Sequence, residues 1–418
     1  MGEDSHMDVL VTGCDAHQSL AVIRSLGRKG LKVLAAGADA KSIGFSSRYA
    51  SAKWVYPSPF ADQEGFVESV LRALRQYQVK LVFPAIESTL VVMDQRRAEI
   101  ERFAPLAAAS SASIELSIDK VRTAAIARGI GVPVPETAEV RDPDQALAAA
   151  SQIGYPVILK RRGNMLHHSI AGSVELKVAY ASTPEMLERA LAEHSRNGHY
   201  PILQKCYFGV GVCVTAVMSA GEPLVLFAYR RSREAPITGG QSVFRESIPL
   251  DAKLRDYVVR LLNAMSWEGV AMVEFKYDDR NDRYVLMEVN PRVSLSTALT
   301  LHAGADVPYV VYELFANRKK LYVGDYKVGV QCRWLRGDLS ALEQFLRGDT
   351  QRDYPLDEFR SLPSKRRVLL DFLKAFSPRV KGDVFAWDDP VPGLLEALSL
   401  VSFYAKRVTG RVAKRGQD

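Results

Sequence analysis

The stretch Met287-Glu288-Val289-Asn290-Pro291-Arg292 brings a carboxylate, an amide and a guanidinium within five positions. The apolar run Tyr284–Met287 that leads into it is typical of a buried strand, and strand alternation aims Glu288 and Asn290 at one face. Oxygen ligands on one face suit Mg²⁺, which usually completes its shell with water and substrate phosphates. The proline ends the strand, so Arg292 can present its fork to a phosphate or carboxylate. Taken alone, the stretch also fits an edge strand with solvated polar residues.

A second carboxylate lies in the apolar run 269–277, at Glu274. The polar residues 278–282 that follow are a turn signal, so the sequence predicts a β-hairpin between this run and the Glu288 strand. If Glu274 and Glu288 face each other, both carboxylates can hold the same divalent ion, which offsets their mutual repulsion. The alternative is a Glu274 that is solvated or salt-bridged.

Composition places the chain among ordinary soluble proteins. Its 418 residues are enough for about three domains, at roughly 150 residues each. Hydrophobic residues make up 47% of the chain, but no run approaches the ~20 apolar residues of a transmembrane span. The four cysteines lack CxxC spacing, which favours a reducing compartment, and we expect a cytoplasmic protein.

The net charge of +7 is concentrated in short basic stretches. They lie at 230–233, at 365–367 and in the tail from Lys406 to Arg415. A phosphate-bearing substrate or an anionic surface could use them, and solvated charge is the third explanation. The basic residues match no nucleic-acid reader module, so we expect no nucleic-acid partner.

The N-terminal part alternates strand and helix patterns, which predicts a Rossmann-like α/β domain. Strand patterns occupy 8–13, 32–36 and 79–84, with a helix pattern at 19–29. Glu87 and Ser88 follow the carboxyl end of the third strand, where open α/β sheets place ligands, so both are candidate substrate-binding residues. The first turn contains Gly13 where a dinucleotide fingerprint needs three glycines, which argues against a dinucleotide site.

The middle of the chain predicts two α+β lobes after a break at 129–135. A helix pattern from Ile118 to Arg128 precedes the Gly- and Pro-rich break. Helix patterns then occupy 144–152 and 184–194, and strand patterns occupy 155–160, 174–180 and 201–206.

The order of four motifs resembles the ATP-grasp superfamily over essentially the whole chain. These are Asp119-Lys120, Pro156–Lys160, Val273-Glu274-Phe275 and Met287–Arg292. The resemblance implies a mixed α/β and α+β architecture, with a Rossmann-like pre-ATP-grasp domain, two lobes that clasp ATP, and a C-terminal extension. We expect the pre-ATP-grasp domain at 7–117, the small lobe with the phosphate loop at 118–203, the large lobe with the Mg/ATP site at 204–325, and the extension at 326–418.

The resemblance also implies ATP and Mg²⁺ as cofactors, with Mn²⁺ as a substitute metal. In the family pattern, Lys120 and Lys160 match the lysines that contact ATP phosphates. The hinge that holds the adenine is matched by Gln204, Lys205 and Cys206.

The implied metal ligands are Glu274, Glu288 and Asn290. Arg292 matches the arginine that steadies the transferred phosphoryl group or an acyl phosphate.

Two places depart from the family pattern. The phosphate-covering loop 163–173 has glycine only near its ends, so His167 or His168 could donate to the γ-phosphate or to a substrate; solvent-exposed histidines are equally compatible. At the hinge, Lys205 stands where the family often has an acidic residue.

The stretch 229–242 resembles the basic strand and Gly-Gly element of ATP-grasp carboxylate–amine ligases. Its arginines are candidates for holding a substrate carboxylate or acyl phosphate, and its glycines let backbone amides approach that group. The candidate residues are the catalytic Arg230, Arg231 and Arg233, and the substrate-binding Gly239, Gly240 and Ser242. A charged outer strand is the alternative.

Together these features imply an ATP-dependent ligase that activates a small-molecule carboxylate as an acyl phosphate and joins it to an amine. The sequence leaves open a carboxylate–thiol ligase or carboxylase with the same first step, and also a non-catalytic ATP-binding sensor.

The stretch 393–405 predicts an amphipathic helix followed by the basic tail. Contact with anionic lipid and packing against its own domain or a partner subunit both fit this pattern. A homodimer is the assembly that the resemblance favours.

Overall fold

The computed structural model describes residues 6–160, 162–163, 178–194, 200–236, 239–348 and 363–415. His167 and His168, with nearly all of the predicted phosphate loop, lie outside the described residues. Within those ranges, we find no helix with the length and apolar character needed to cross a membrane.

The first sheet is a parallel sheet built from the N-terminal part of the chain. Its order is Ala50–Val55, Val33–Gly37, Val9–Thr12 and Val82–Pro84. Helix His17–Arg28 connects two neighbouring parallel strands, which confirms the predicted strand–helix–strand unit. The run predicted as one strand at 79–84 is divided, because Gln78–Val79 pairs separately with His6–Met7.

Further helices of the N-terminal part are Gln63–Gln76, Glu87–Gln95, Arg97–Ile100 and Ser111–Ile118. Asp62 caps the first of these by accepting a hydrogen bond from the Gly65 amide at 2.8 Å. Helix Glu87–Gln95 begins just beyond the carboxyl end of strand Val82–Pro84. This position places Glu87 at the ligand-binding edge of the sheet.

The second sheet is antiparallel and belongs to the small lobe. Its order is Thr137–Glu139, Ile202–Lys205, Val157–Lys160 and Ala179–Ala181. Helices Pro143–Ile153 and Pro184–His194 pack on this sheet. Helix Lys120–Gly129 instead contributes Ala127 to a core that contains residues of the first and third sheets. Strand Ile202–Lys205, which spans the expected 203/204 boundary, pairs within this sheet over its full length. The domain bounds remain predictions.

The third sheet is the largest in the described part of the chain. Its order is Arg283–Asn290, Gly269–Asp278, Val210–Ser219, Glu222–Ala235, Gln241–Ser247, Gln331–Arg333 and Lys381–Gly382. The first two strands pair antiparallel, which confirms the predicted hairpin. The last two come from the expected C-terminal extension, so this extension completes the sheet of the large lobe.

The helices of this half follow the sheet in sequence. They are Ala252–Ala264, Thr297–His302, Val307–Ala316, Leu335–Arg347, Lys365–Lys374 and Val391–Arg415. We call the last one the C-terminal helix. It contains the predicted amphipathic segment 393–405.

The first and third sheets share their hydrophobic cores, whereas the second has its own. One core combines Leu10 and Phe66 of the first domain with Phe275 of the third sheet. The core beneath the second sheet contains residues of the small lobe, such as Leu159 and Leu203. The first domain and the large lobe therefore form one packed body, against which the small lobe sits as a separate unit.

A buried ion pair joins the C-terminal extension to this body. Asp383 and Arg245 are both fully buried and form a salt bridge. Asp383 also lies 3.5 Å from His17 Nε2 and accepts a hydrogen bond from Cys332 Sγ at 2.9 Å. Burial raises the pKa of Asp383, but the charges of Arg245 and His17 outweigh it, and the net pKa is lowered.

A second pair anchors the extension to the first domain. Arg24 Nε donates to Asp389 Oδ2 at 2.9 Å, and Ser47 Oγ donates to the same oxygen at 2.7 Å. Both charged side chains are almost completely buried.

We predict that Asp383→Ala strongly destabilises the protein, because it leaves Arg245 buried without a counter-charge. The expected loss is about 3–5 kcal/mol. Differential scanning fluorimetry should show a clear fall in melting temperature. Replacing the exposed Asp279 by alanine is the control and should change it little. A melting temperature unchanged by Asp383→Ala would contradict this account.

The C-terminal helix is attached through Glu396, whose Oε1 accepts a hydrogen bond from Trp334 Nε1 at 3.2 Å. Trp334 in turn stacks on His17 of the first domain, with ring centroids 4.7 Å apart. Burial raises the pKa of Glu396 from 4.5 to about 7, although the Trp334 hydrogen bond opposes the shift.

Glu396 should make stability depend on pH. Because its folded-state pKa is raised, its contribution to stability is fully present below about pH 4.5 and is lost as pH rises through about 7. We expect Glu396→Gln to remove this slope and to melt at a higher temperature than the unaltered protein at about pH 8. Glu68→Gln, at an exposed position, should leave the slope intact. Identical pH profiles for Glu396→Gln and the unaltered protein would refute the assignment.

Candidate active site

A cleft of about 430 Å³ is lined by residues of the second sheet, the third sheet and the first domain. The second sheet contributes Lys160 and Gln204, and the first domain contributes Glu87. The third sheet contributes its edge hairpin, with Glu274 and Glu288. The cleft therefore collects most of the charged residues that the sequence singled out.

Glu274 and Glu288 are direct register partners on the two antiparallel strands of this hairpin. The cross-strand arrangement predicted from the sequence is thus confirmed. The register shifts just after Glu274, so that Phe275 pairs with Leu286 and Met287 is the extra residue of a bulge. As a result, the neighbouring side chains Met287 and Glu288 both line the cleft.

The two carboxylates have opposite pKa shifts. Burial raises the pKa of Glu288, but Lys120, Asn290, Lys160 and Arg292 together outweigh it, and the net pKa is lowered. Lys120 Nζ lies 3.9 Å from Glu288 Oε2, and Asn290 Nδ2 donates to Glu288 Oε1 at 2.9 Å.

Glu274 shows the opposite balance. Burial raises its pKa, the charge of Glu288 adds to the rise, and an ion pair with Arg231 only partly offsets both. Ionisation of Glu274 beside an ionised Glu288 is therefore disfavoured unless a cation binds to the two carboxylates.

The lysine of the second sheet points at the same carboxylates. Lys160 Nζ donates to Gln204 Oε1 at 3.0 Å, and Gln204 Nε2 donates to Thr137 Oγ1 at 3.1 Å. Burial lowers the pKa of Lys160, whereas Glu288 and Glu274 raise it. The Gln204 side chain thus holds the lysine in place.

The three candidate arginines of strand Glu222–Ala235 take different directions. Arg231 lines the cleft, where it contacts Glu274 and the Gly240 carbonyl and lies 2.8 Å from Glu234 Oε1. Arg230, on the opposite face, donates to Glu246 Oε2 at 3.0 Å and is half exposed.

Arg233 also lies outside the cleft. The register shifts on either side of it, and its guanidinium donates two hydrogen bonds to Asp338, at 2.8 and 2.6 Å. The structure therefore brings only Arg231 of this trio to the cleft; strand alternation separates Arg230, and the irregular register redirects Arg233.

Arg292 follows the cleft-lining residues Asn290 and Pro291 and lies next to Glu87 of the first domain. Its Nη2 donates to Asn290 Oδ1 at 3.3 Å, and its Nε lies 4.0 Å from Glu87 Oε2. Ser88, the other candidate at this helix end, is buried and does not line the cleft. Glu87 is thus the first domain's anionic contribution to the site.

The backbone amides of Lys205 and Cys206, in the predicted hinge, donate hydrogen bonds to other backbone groups. Lys205 N–H donates to the Glu136 carbonyl at 2.8 Å, and Cys206 N–H donates to the Pro156 carbonyl at 3.1 Å. Tyr207 and Phe208, which sequence reasoning missed, continue the hinge and line the cleft.

Both glycines of the Gly-Gly element line the cleft. Gly239 has a φ of +126°, and a Cβ on Gly240 would lie 2.2 Å from the Ala235 carbonyl oxygen, so both positions require glycine. Ser242 is buried outside the cleft, and its Oγ has no hydrogen-bond partner within the described residues.

Two further charged residues line the cleft without having been predicted, namely Glu234 and Lys276. Lys276 lies two positions after Glu274 on the same strand. The alternation of side chains along a strand could therefore have predicted that both face the cleft. Glu234 had no such signal, because its direction depends on the irregular register of its strand.

The oxygen donors of the cleft fit Mg²⁺ in the company of phosphates. No group of three or more His, Cys, Asp or Glu side chains suited to a metal occurs in the described ranges. Glu274, Glu288 and the Asn290 amide are too few for a closed protein cage. They fit a Mg²⁺ that takes its remaining ligands from water and nucleotide phosphates.

Comparisons with known proteins agree with this geometry. Residues 110–200 match the family model of an ATP-grasp domain. Residues 213–337 match the model described as ATP-grasp in the biosynthetic pathway with Ter operon. The chain belongs to the ATP-grasp superfamily and has its mixed α/β fold.

Individual relatives are more distant. The arginine-specific large chain of carbamoyl phosphate synthase from Geobacillus stearothermophilus is 28% identical over 271 residues, covering 63% of this chain and 24% of that protein. The chain thus spans about a quarter of that relative's length.

Solved structures share the fold at low identity. Biotin carboxylase from Campylobacter jejuni, in a complex with β,γ-ATP, has a TM-score of 0.60 at 17% identity and covers 79% of this chain and 75% of its own. L-amino acid ligase from Bacillus licheniformis has a TM-score of 0.59 at 15% identity. The match covers 76% of this chain and 75% of the ligase.

The contrast between neighbouring arginines provides a test. We predict that Arg231→Met weakens the binding of Mg²⁺ with a non-hydrolysable ATP analogue by about tenfold, because a charge-assisted contact in the cleft is lost. Arg230→Met removes the same charge on the outer face and should change the dissociation constant less than about twofold. Isothermal titration calorimetry measures both, and equal effects of the two substitutions would contradict the placement.

Proposed function

We propose that this protein is an ATP-dependent ligase that joins a small-molecule carboxylate to an amine, with release of ADP and phosphate. The observation that carries the proposal is the facing pair Glu274 and Glu288 in a cleft that also holds Lys120, Lys160 and Arg231. Two carboxylates surrounded by cations suit a metal-bound triphosphate better than they suit a neutral ligand.

The first step is phosphoryl transfer. A carboxylate oxygen of the acid substrate bonds to the γ-phosphorus of ATP while the bond to the β–γ bridging oxygen breaks, so that ADP leaves and an acyl phosphate remains. Lys120 and Lys160 hold the phosphates in line, and Arg231 and Arg292 stabilise the charge that develops on the transferred group. Mg²⁺ held by Glu274, Glu288 and Asn290 supplies charge neutralisation at the phosphates, and Mn²⁺ has the same ligand preference.

The second step forms the amide. The amine nitrogen bonds to the acyl carbon, phosphate leaves with the electrons of the carbon–oxygen bond, and the nitrogen loses a proton. The step needs no enzyme nucleophile, because the acyl phosphate is already activated.

Glu87 favours an amine as the acceptor. Glu87 lines the cleft, and its Oε2 lies 4.0 Å from Arg292 Nε. A carboxylate there can bind an incoming ammonium group and accept its proton. The Gly239–Gly240 element, beside Arg231, is suited to the acid substrate.

Other acceptors share the first step. A carboxylate–thiol ligase or a carboxylase would also release ADP in the presence of its acid, and the mass of the product distinguishes them from an amide-forming enzyme. A non-catalytic ATP sensor would bind nucleotide without carboxylate-dependent ADP release. A homodimer stays a prediction for this chain.

The decisive assay is ADP release by the purified protein with Mg²⁺ and a library of carboxylates and amines. We expect release that needs a carboxylate, with an amide as product, and chelation of Mg²⁺ should abolish it. Glu288→Ala should lower the rate by at least about 100-fold, because a metal ligand is lost.

Glu246→Ala is the matched control, since Glu246 lies in the same sheet outside the cleft and pairs with Arg230. Its rate should stay within about twofold of the unaltered enzyme. Unchanged turnover in Glu288→Ala would overturn the metal assignment, and ATP binding without ADP release from any acid would overturn the ligase proposal.

A further inference from the structure

Exposed apolar side chains are concentrated in one short part of the chain. Twelve of the nineteen large apolar side chains exposed among the described residues lie between residues 369 and 403. On the C-terminal helix they include Leu394, Leu395, Leu398 and Val401, at spacings that place them along one side of the helix. We call these four residues the apolar stripe.

Trp387 continues the apolar stripe at its N-terminal end. Its side chain is 89% exposed and packs edge-on against Phe385, with ring centroids 5.0 Å apart. Phe385 in turn touches the start of the C-terminal helix, since a Cβ on Gly393 would lie 2.8 Å from its side chain. Because the Trp387 indole is already exposed, it can enter the boundary of an apolar phase without moving away from its present position. Transfer of an indole into such a boundary is favourable.

The opposite side of the helix is occupied by the protein itself. Leu400 is buried, Glu396 binds Trp334, and Tyr404 OH donates to Glu343 at 3.3 Å. Packing against its own domain therefore accounts for one side of the helix. The apolar stripe is held outward by those same contacts.

The charge around the apolar stripe is strongly positive. Residues 363–418 contain eleven Lys and Arg against six Asp and Glu, which gives +5 of the chain's +7. Three of the six acids are held by cations of the first domain or third sheet, in the pairs Asp383–Arg245, Asp388–Arg28 and Asp389–Arg24. Glu396 is partly buried against Trp334. Half of the six acids are thus already neutralised by cations of the body of the protein.

Cations accompany the apolar stripe in the sequence. Lys406, Arg407 and Arg411 follow it, and Lys365, Arg366 and Arg367 begin helix Lys365–Lys374. That helix exposes Leu369, Leu370 and Leu373 as well. Both helices pack on helix Leu335–Arg347 through side-chain contacts, namely Tyr404 with Glu343 and Lys365 with the Leu346 carbonyl.

We propose that the apolar stripe and Trp387 bind the surface of an anionic lipid bilayer. An apolar helix side flanked by Lys and Arg, with a tryptophan at its edge, matches what a helix lying in the headgroup region requires. A second copy of the chain is a poorer occupant, because pairing through this face would bring two +5 segments together.

The test uses the full chain and sedimentation with vesicles of phosphatidylcholine alone or mixed with an equal part of phosphatidylglycerol. The unaltered protein should sediment with the mixed vesicles and stay in solution with phosphatidylcholine alone. High salt should release it, because headgroup attraction is screened. Leu394→Gln with Leu398→Gln should weaken binding by at least about tenfold, because two apolar side chains no longer enter the bilayer.

The matched control is Val55→Gln with Val328→Gln, at positions that are 52% and 54% exposed elsewhere on the surface. It should bind mixed vesicles like the unaltered protein, and equal melting temperatures would show that both double variants fold. Equal binding to both vesicle types, or unchanged binding of the Leu394/Leu398 variant, would overturn the proposal. A lack of vesicle binding would also overturn the proposal. This holds whether sedimentation velocity shows a monomer, or shows a dimer that is absent in the Leu394/Leu398 variant.

Discussion

The register of a single hairpin governs the arrangement of this molecule, because it sets Glu274 directly opposite Glu288. A slip of one residue would turn one carboxylate to the other face of the sheet. With the pair in place, two buried negative charges need cations close by. Lys120 begins helix Lys120–Gly129, Lys160 ends a strand of the second sheet, and Arg231 belongs to the third sheet. The charge balance of the cleft thus depends on how the two lobes sit together.

The rest of the chain keeps the large lobe in one piece. Its sheet shares hydrophobic cores with the first domain, and the C-terminal extension adds two strands and the buried pairs of Asp383 and Asp389. Arg292 and Glu87 illustrate the result. They belong to different sheets and meet at 4.0 Å because the shared core holds those sheets together.

Local patterns predicted three strands of the first sheet, the hairpin, and Glu274 and Glu288, because each is set by strand periodicity and by distance from a turn or strand end. Lys120 and Lys160 were implied by the resemblance to the ATP-grasp superfamily, and strand Ala50–Val55 was not predicted. Features that depend on distant pairing were not predictable. The strands at 331–333 and 381–382 are too short to carry a periodic signal. Arg233 resembles Arg231 in the sequence, and only an irregular register sends it to Asp338 instead of the cleft.

The separate core of the small lobe has a consequence for how the molecule works. Arg162, two residues beyond a strand of the second sheet, pairs with Asp119 at the start of helix Lys120–Gly129, 2.9 Å away. The buried apolar cluster of the second sheet contains only residues between 140 and 203. The small lobe can therefore move as a unit relative to the first domain, third sheet and C-terminal helix. Such a movement exposes polar surface and little hydrophobic core, so it costs little free energy. The small lobe can thus move during nucleotide exchange without a loss of fold stability. The rest of the molecule keeps its orientation during that movement.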